Sequence, residues 1–241
     1  MNTVSVILPT YNEAENIVQL IKSLKKHVSG LKEILVVDDD SPDGTAKLVR
    51  DHQARLIVRP TDHGLRKSIQ EGIDNARGDI IVWMDADFSM PPEDINRLVM
   101  EIKKGADIAA GSRFVAGGKT KATAEKERWY NIWASVLANA VMHLLFGYNF
   151  HDYTSGFIAV KKDVIRSLPL RGSYGEYCID VIVRAYERGY RIMEVPYVCR
   201  PRQRGISKTA PNLSVLFTRY IQYSTMMFRL IWETKIQKAT A

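Results

Sequence analysis

The chain has 241 residues, of which 46% are hydrophobic and 25% charged, a composition that suits one large globular domain or one domain with an appendage. Its net charge of +7 divides into −3 for residues 1–118 and +10 for residues 119–241, which indicates an anionic partner: nucleic acid, a membrane surface or a phosphorylated substrate. Two cysteines are too few for a disulfide framework, and the lack of an 18-residue apolar run and of a basic leader argues against a spanning helix and a signal peptide.

Strands and helices alternate through the first half of the chain. Apolar runs predict strands at 4–8, 33–37, 56–58, 79–84 and 107–110. Helical periodicity predicts helices at 13–27, 45–52 and 65–76, with a fourth opening at 91–93. This alternation predicts an α/β fold with a Rossmann-like, mostly parallel sheet and helices on both faces.

The second half of the chain is less regular. A basic stretch at 117–123 precedes a predicted helix at 125–146, and later patterns predict a strand at 156–160, a helix at 177–188, a strand at 191–195, a basic loop at 200–205 and a helix at 213–232. We expect a catalytic domain over residues 1–211 and a C-terminal amphipathic helix over residues 212–241.

The predicted strand at 79–84 runs directly into Asp85-Ala86-Asp87. Ligands of open α/β sheets bind at the carboxyl ends of strands, and Mg²⁺ is usually bound by one or two carboxylates together with substrate phosphates. The motif therefore predicts a diphosphate held through a metal. A solvated turn with a helix cap is the alternative, and it would be preferred for an isolated Asp-x-Asp.

Two further loops follow predicted strands, at Pro9–Glu13 and Asp38–Asp43. The carboxyl ends of parallel strands lie along one edge, so these loops can converge on one ligand with Asp85-Ala86-Asp87. The chain has neither a G-x-G-x-x-G motif after its first strand nor a P-loop motif, which argues against a dinucleotide enzyme and a P-loop enzyme. A turn with Asp43 as helix cap is the alternative interpretation of the second loop.

Motifs spread from Val4 to Lys208 resemble those of the large inverting glycosyltransferase family with the GT-A fold, family 2: Pro9-Thr10-Tyr11-Asn12-Glu13, Asp38 to Thr45, Asp85-Ala86-Asp87 and Gly111-Ser112-Arg113-Phe114. A second group is similar to the dolichyl-phosphate (polyprenyl-phosphate) mannosyltransferases within it: Ser41 to Thr45, Thr154 to Phe157 and Arg202 to Lys208. This resemblance implies metal-dependent transfer of mannose, with inversion, from GDP-mannose to a dolichyl or polyprenyl phosphate, with Mg²⁺ or Mn²⁺ as cofactor. It also implies a peripheral enzyme at the cytoplasmic face of a membrane.

The resemblance assigns roles to individual residues. Asp87, Arg202 and Arg113 are the implied catalytic residues, and Asp85, Asp87 and Ser89 the implied metal ligands. The implied nucleotide-sugar site comprises Pro9, Tyr11, Glu13, Asp38, Asp39, Asp85, Asp87, Arg202 and Lys208. The acceptor phosphate is assigned to Arg113, Arg128 and Ser135.

Two positions depart from the family pattern. Many relatives carry an arginine one helical turn before the Ser135 position, where this chain has Asn131, and Arg128 one turn earlier is a candidate substitute. The arginine that commonly follows Ser-Gly-Phe is Ile158 here. These departures leave the donor assignment unchanged and concern only how the acceptor binds.

The implied chemistry agrees with elementary considerations. Transfer from a nucleotide sugar develops negative charge on the leaving diphosphate, which a divalent metal and arginine can offset. A phosphate monoester has a second pKa of about 6, so its oxygen is already a nucleophile at neutral pH and needs no base. Arginines position such a phosphate through bidentate hydrogen bonds.

Two rival functions remain open. A polyprenyl-phosphate glucosyltransferase would keep the fold and use UDP-glucose. A basic nucleic-acid-binding protein would suit the sequence pI of about 9.3, but no RRM, KH or zinc-finger pattern is present and the acidic loops would repel phosphate without a metal. We expect no nucleic-acid partner.

The C-terminal helix carries an apolar stripe that we expect to lie on the membrane surface, formed by Leu213, Leu216, Phe217, Tyr220, Ile221, Met227, Phe228 and Ile231. Docking of this stripe on the enzyme's own core, or on a membrane-spanning partner protein, is an almost equal alternative. Trp129 and Trp133 share a face of the helix at 125–146 and are predicted to pack in the core, with contact to a lipid tail as the alternative.

Overall fold

The computed structural model of the protein describes residues 2–121, 129–204 and 213–236. A seven-stranded sheet forms its centre, in the order β3-β2-β1-β4-β7-β5-β8. The strands are β1 Val4–Thr10, β2 Leu31–Asp38, β3 Arg55–Val58, β4 Ile80–Trp83, β5 Ile108–Ser112, β7 Ile158–Lys161 and β8 Ile192–Pro196. Two short strands, β6 Lys119–Thr120 and β9 Val198–Cys199, pair with each other beside it.

Helices connect these strands and cover both faces of the sheet. They are α1 Ala14–His27, α2 Thr45–Asp51, α3 Leu65–Asn75, α4 Ile95–Lys103, α5 Trp129–Phe146, α6 Lys162–Ser167, α7 Tyr177–Glu187 and α8 Leu213–Ile231. A 3₁₀ turn at Pro92–Asp94 precedes α4, and a π turn at Trp232–Ile236 follows α8. The predicted α/β architecture is confirmed; α6 and the pair of short strands were not predicted.

One strand of the sheet runs against the others. β1, β2, β3 and β4 are mutually parallel where they pair, and β8 is parallel to β5, but β7 is antiparallel to both β4 and β5. Because Ile158 at the start of β7 pairs with Trp83 at the end of β4, the loop that enters β7 lies at the same edge of the sheet as Asp85. The reversal therefore brings residues 152–157 to the edge that carries the acidic loops.

Alternating side chains of the central strands build one core on each face. In β1, Val6 and Leu8 join the cluster under α1 and α4, whereas Ile7 joins the cluster that includes α3 and α7. The predicted inner face of α1 is buried, with Ile17, Leu20, Ile21 and Leu24 at 0–1% exposure. Each such side chain contributes roughly 1.5–3 kcal/mol when it leaves water, so their burial stabilises the packing of α1 on its face of the sheet.

The apolar residues of α8 are divided between two faces. Met226 and Leu230 are buried in the core beside α7, with Tyr223 and Met227 packed against the same cluster. On the other side, the apolar side chains are 50–69% exposed: Phe217, Tyr220, Ile221 and Phe228. The side chains of Leu213 and Leu216 lie outside those that the structure describes. Docking on the core therefore explains one face of α8. The other face remains exposed and available for the expected contact with a membrane surface.

Trp133 on α5 corrects one expectation. It is 66% exposed, as is Leu137 at 65%, so Trp133 does not pack in the core as its spacing predicted. The reason is that α5 is apolar on most of its circumference, and periodicity cannot select the buried face of such a helix. None of the described helices is long and apolar enough to cross a membrane.

Candidate active site

The loops after β1 and β2 are joined at the carboxyl edge of the sheet, as predicted from their position after parallel strands. Thr10 and Asp38 pair across the two strands. The hydroxyl of Thr10 donates to Oδ1 of Asp38 at 2.6 Å, and the amide of Asp39 donates to the carbonyl of Thr10 at 2.9 Å. This edge is where an open α/β sheet binds ligands.

Asp43 fixes the first two loops to each other. Its Oδ2 accepts from the amide of Ala14 at the start of α1, and its Oδ1 accepts from the amide and hydroxyl of Thr45 at the start of α2. Burial acts to raise the pKa of Asp43, but these hydrogen bonds outweigh it and hold that pKa below its usual value. One carboxylate thus organises the beginnings of two helices.

The two aspartates predicted to hold the nucleoside are both buried. Both oxygens of Asp38 accept hydrogen bonds from the loop itself, from Thr10 and Ser41. Asp38 is therefore engaged within the loop, and a part in nucleotide binding stays a prediction for both aspartates. Pro9 lies within β1, Tyr11 is exposed, and Glu13 accepts from the side chain of Asn16.

Three residues around Asp39 were missed by sequence reasoning. The guanidinium of Arg59 donates to Oδ1 at 2.7 Å, Ser68 donates to the same oxygen at 2.7 Å, and the amide of Gly64 donates to Oδ2 at 2.7 Å. Gly64 has φ 143°, in the region that favours glycine. The available signal was the position of Arg59 directly after β3, at the same edge of the sheet.

Asp87 and Arg202 form an ion pair, although 115 positions separate them in the chain. Nη1 of Arg202 lies 2.6 Å from Oδ2 of Asp87, and both side chains are largely buried. Oδ1 of Asp87 accepts from the amide of Ser89 at 2.9 Å. The structure thus brings together two predicted metal ligands, Asp87 and Ser89, and Arg202, which is predicted to meet the donor diphosphate.

Backbone hydrogen bonds hold the basic loop at 200–204 over the Asp-x-Asp turn. The amide of Arg200 donates to the carbonyl of Ser89 at 2.9 Å, and the amide of Gln203 to that of Asp87 at 3.2 Å. The guanidinium of Arg200 pairs with Glu93 at 2.5 Å. Because these two hydrogen bonds fix the backbone on either side of Arg202, its side chain extends to Asp87 from a fixed position. Lys208 lies outside the described residues.

Asp85 lies near the beginning of α7. Burial raises the pKa of Cys178 to about 12, and the negative charge of Asp85 adds to this shift. Burial likewise raises the pKa of Tyr177, with Asp85 again contributing. A thiol with such a pKa is neutral at physiological pH, so Cys178 is unsuited to be a nucleophile.

The carboxylates suit a metal that completes its coordination shell with substrate. Among the described residues, no group of three or more His, Cys, Asp or Glu side chains is arranged to hold an ion. Mg²⁺ and Mn²⁺ prefer oxygen ligands, and Mg²⁺ commonly uses one or two carboxylates with phosphate and water. The buried Asp87 already has a cationic partner in Arg202, which shows that this position attracts positive charge. Asp85, Asp87 and Ser89 carry the oxygen donors that such an ion takes, and their role as its ligands stays a prediction.

Arg113 and Ser135, two residues predicted to hold the acceptor phosphate, are in contact. Nη2 of Arg113 lies 3.2 Å from Oγ of Ser135 and 2.7 Å from Oγ1 of Thr154. Arg113 also makes a two-point ion pair with Asp152, a residue that sequence reasoning missed although it stands two positions before the Thr154-Ser155-Gly156-Phe157 motif. Burial opposes the charge of Arg113, but the pair with Asp152 raises its pKa above the ordinary value. Arg128 lies outside the described residues.

Comparison with known proteins identifies the family of the chain. A protein 34% identical over 98% of this chain is the dolichol-phosphate mannosyltransferase of Pyrococcus furiosus, of whose length the chain covers 66%. The polyprenol monophosphomannose synthase of Mycolicibacterium smegmatis is 37% identical over 84% of this chain and 79% of its own length.

A solved structure has the same fold. The glucosyl-3-phosphoglycerate synthase of Mycobacterium tuberculosis, in complex with Mn²⁺, UDP and glucosyl-3-phosphoglycerate, superposes with a TM-score of 0.74. The match covers 95% of this chain and 80% of the synthase, at 21% identity. It shows that the two proteins share the GT-A fold. Residues 5–168 match the family model of Glycosyl transferase family 2. The chain therefore belongs to glycosyl transferase family 2 and is a glycosyltransferase.

Proposed function

We propose that this enzyme transfers mannose from GDP-mannose to a dolichyl or polyprenyl phosphate, with inversion and with Mg²⁺ or Mn²⁺. The observation that carries the proposal is the presence, at one sheet edge, of the Asp87–Arg202 pair and of the Arg113–Ser135 contact. The first suits the diphosphate of a donor and the second suits a phosphate acceptor. The names of the relatives from Pyrococcus and Mycolicibacterium support this acceptor class and mannose.

On the donor side, Asp85, Asp87 and Ser89 hold the metal, which supplies positive charge to the leaving diphosphate. The Mn²⁺ and UDP bound by the glucosyl-3-phosphoglycerate synthase support this assignment. Arg202 would add a second positive charge to the diphosphate, and the backbone hydrogen bonds of its loop to the Asp-x-Asp turn hold it beside the proposed metal ligands. Asp39 and the loop at 9–13 receive the nucleoside.

On the acceptor side, Arg113 and Ser135 hold the phosphate so that one of its oxygens faces the sugar. Its second pKa is about 6, so no side chain has to remove a proton. Because the acceptor oxygen is itself the nucleophile, the reaction needs only direct displacement and no covalent enzyme intermediate. Direct displacement at the sugar carbon inverts its configuration.

A glucosyltransferase that uses UDP-glucose is the second candidate, because the structural neighbour carries UDP and a glucosyl product. A donor panel separates the two: the purified protein is assayed with radiolabelled GDP-mannose, UDP-glucose and UDP-GlcNAc, with polyprenyl phosphate and either metal. We expect lipid-extractable label from GDP-mannose only. Label from UDP-glucose alone would replace mannose by glucose in the proposal, and no label from any donor would overturn it.

A lipid-borne acceptor requires the enzyme to reach a membrane, and the exposed face of α8 offers the surface. Phe217, Tyr220, Ile221 and Phe228 point away from the core, and aromatic and aliphatic side chains of this kind insert at the lipid interface. On α5, Trp133 and Leu137 are equally exposed. We place this contact at the cytoplasmic face, with binding to a membrane-spanning partner protein as the alternative use of the same surface.

A further inference from the structure

Asp152 is a fully buried carboxylate whose function the reaction scheme above leaves unexplained. Its side chain is 0% exposed. Oδ2 accepts from Nε of Arg113 at 2.8 Å and from the backbone amide of Arg113 at 2.9 Å, and Oδ1 accepts from Nη2 at 2.7 Å. The carboxylate therefore holds both the side chain and the backbone of one residue.

The loop that carries Asp152 is itself fixed from two sides. Glu194 on β8 accepts from the amides of His151 and Asp152 at 2.9 and 3.1 Å. On the other side, Asn139 of α5 accepts from the amide of Tyr153 at 2.6 Å. Asp152 thus presents its carboxylate from a rigid position, which is what an orienting residue requires.

The ion pair also determines how Arg113 can meet a second anion. Nε and one hydrogen of Nη2 are directed to Asp152, so the side edge of the guanidinium is already used. The remaining edge is the end that carries Nη1 and Nη2, and there Nη2 lies 3.2 Å from Ser135 Oγ and 2.7 Å from Thr154 Oγ1. The two hydroxyls are themselves 2.5 Å apart, and Thr154 Oγ1 also lies 3.2 Å from Oδ1 of Asp152, so Thr154 links Ser135 to the Arg113–Asp152 pair.

We propose that Asp152 is a positioning residue: it turns the end of the Arg113 guanidinium, together with the Ser135 hydroxyl, toward the phosphate of the acceptor. This inference rests on the proposed function, because it names the residue that aligns the acceptor for that reaction. Asp152 does not act as a base, since its two oxygens are directed to Arg113 and phosphate needs none. Removal of Asp152 is therefore expected to affect acceptor binding and to spare the donor.

The test is the Asp152→Asn variant, which keeps the volume and removes the charge. We expect KM for polyprenyl phosphate to rise roughly 10- to 100-fold, the range seen when a partner that orients a ligand is removed. The Kd for GDP-mannose without acceptor, and the acidic limb of the pH dependence of kcat, should stay unchanged. In an Arg113→Ala background, Asp152→Asn should raise KM for polyprenyl phosphate by less than about twofold more, because Asp152 acts through Arg113.

Asp107→Asn is the matched control, since it breaks the Lys161–Asp107 pair of 2.7 Å at the opposite end of β5 and β7. This variant should leave both KM for polyprenyl phosphate and Kd for GDP-mannose unchanged. If Asp152→Asn does not fold, Asp152→Glu serves instead: it keeps the charge but displaces the carboxylate, and it should likewise raise KM for polyprenyl phosphate and spare the Kd for GDP-mannose. A wild-type KM in the folded variant, or independent effects of the two changes, would overturn the positioning role. Absence of turnover in the wild type would instead refute the proposed function.

Discussion

Arg202 Nη1 lies 2.6 Å from Asp87 Oδ2, so the arginine assigned to the donor diphosphate contacts a carboxylate assigned to the metal. A carboxylate oxygen that faces a guanidinium at this distance has to exchange that partner, or share it, when a divalent ion binds. Under the proposed function, a divalent ion bound by Asp87 would release Arg202 toward the donor diphosphate. The proposed metal and Arg202 would thereby be coupled through one carboxylate.

This coupling makes a prediction about metal binding without nucleotide. Arg202→Gln should increase the affinity of the free enzyme for Mn²⁺ about tenfold or more, because a competing charge-assisted contact typically contributes roughly 1.5–3 kcal/mol. The same change should weaken GDP-mannose binding in the presence of metal. Electron paramagnetic resonance of free Mn²⁺ measures the first effect and calorimetry the second. Arg200→Gln, in the same loop, is the control, and a Mn²⁺ affinity of Arg202→Gln equal to the wild type would exclude the competition.

Asp87→Asn should abolish turnover, because it removes a charged ligand from the metal. Charge stabilisation by a catalytic metal contributes several kcal/mol, so a loss of at least ~100-fold is expected. EDTA should have the same effect on the wild type, reversed by excess Mg²⁺ or Mn²⁺. Asp94→Asn, which weakens a pair with the exposed side chain of Arg97, is the control. Full activity in EDTA would remove the metal from the proposal.

Arg113→Ala and Arg202→Ala should fail in different ways. The first should raise KM for polyprenyl phosphate and leave GDP-mannose binding intact, and the second should weaken donor binding in the absence of acceptor. Loss of one charge-assisted contact costs roughly 1.5–3 kcal/mol, which corresponds to about 10-fold or more in either constant. Titration of GDP-mannose into each variant, with and without acceptor, decides whether the division between donor and acceptor holds.

The two faces of α8 predict two different phenotypes. Phe217→Ser combined with Phe228→Ser should reduce sedimentation with anionic liposomes and turnover of long polyprenyl phosphates, with little effect on the melting temperature, since both side chains are 66–69% exposed. Met226→Ala on the buried face should instead destabilise the fold by about 2–5 kcal/mol. If the serine variant sediments and turns over as the wild type does, this face is not the membrane contact.

Acid stability should reveal the role of Asp43. Its pKa in the folded protein is lowered from the model-compound value of 3.8, so its contribution to stability is present above that value and is lost as the pH falls through the folded pKa. The difference in melting temperature between the wild type and Asp43→Asn should be constant from neutral pH to about pH 5 and should shrink below about pH 4. A difference that is the same throughout an acid series would contradict this assignment.

Much of the sheet could be predicted because its strands are apolar runs that end in polar residues. Periodicity fixes where a strand such as Ile158–Lys161 occurs, but it contains no information on strand direction, so the reversal of β7 could not be foreseen. For the same reason, the arrival of residues 152–157 at the site edge was not predicted from pattern alone.

The site was predicted in part, and the resemblance to a family supplied most of it. No spacing rule connects Asp87 with Arg202, and only the family motif indicated that the two serve one ligand. Asp152 was missed because a lone aspartate before a motif is equally typical of a turn. The faces of α8 could not be separated, since an apolar residue has the same signature whether it meets protein or lipid.

The short strands β6 and β9 have a mechanical consequence. Thr120 pairs with Cys199, and the amide of Lys121 donates to the carbonyl of Cys199 at 2.8 Å. Backbone hydrogen bonds therefore join the segment that follows Arg113 to the segment that precedes Arg202. Because the two segments are paired, we expect a displacement of either one to move the other, so that binding at Arg113 and binding at Arg202 influence each other.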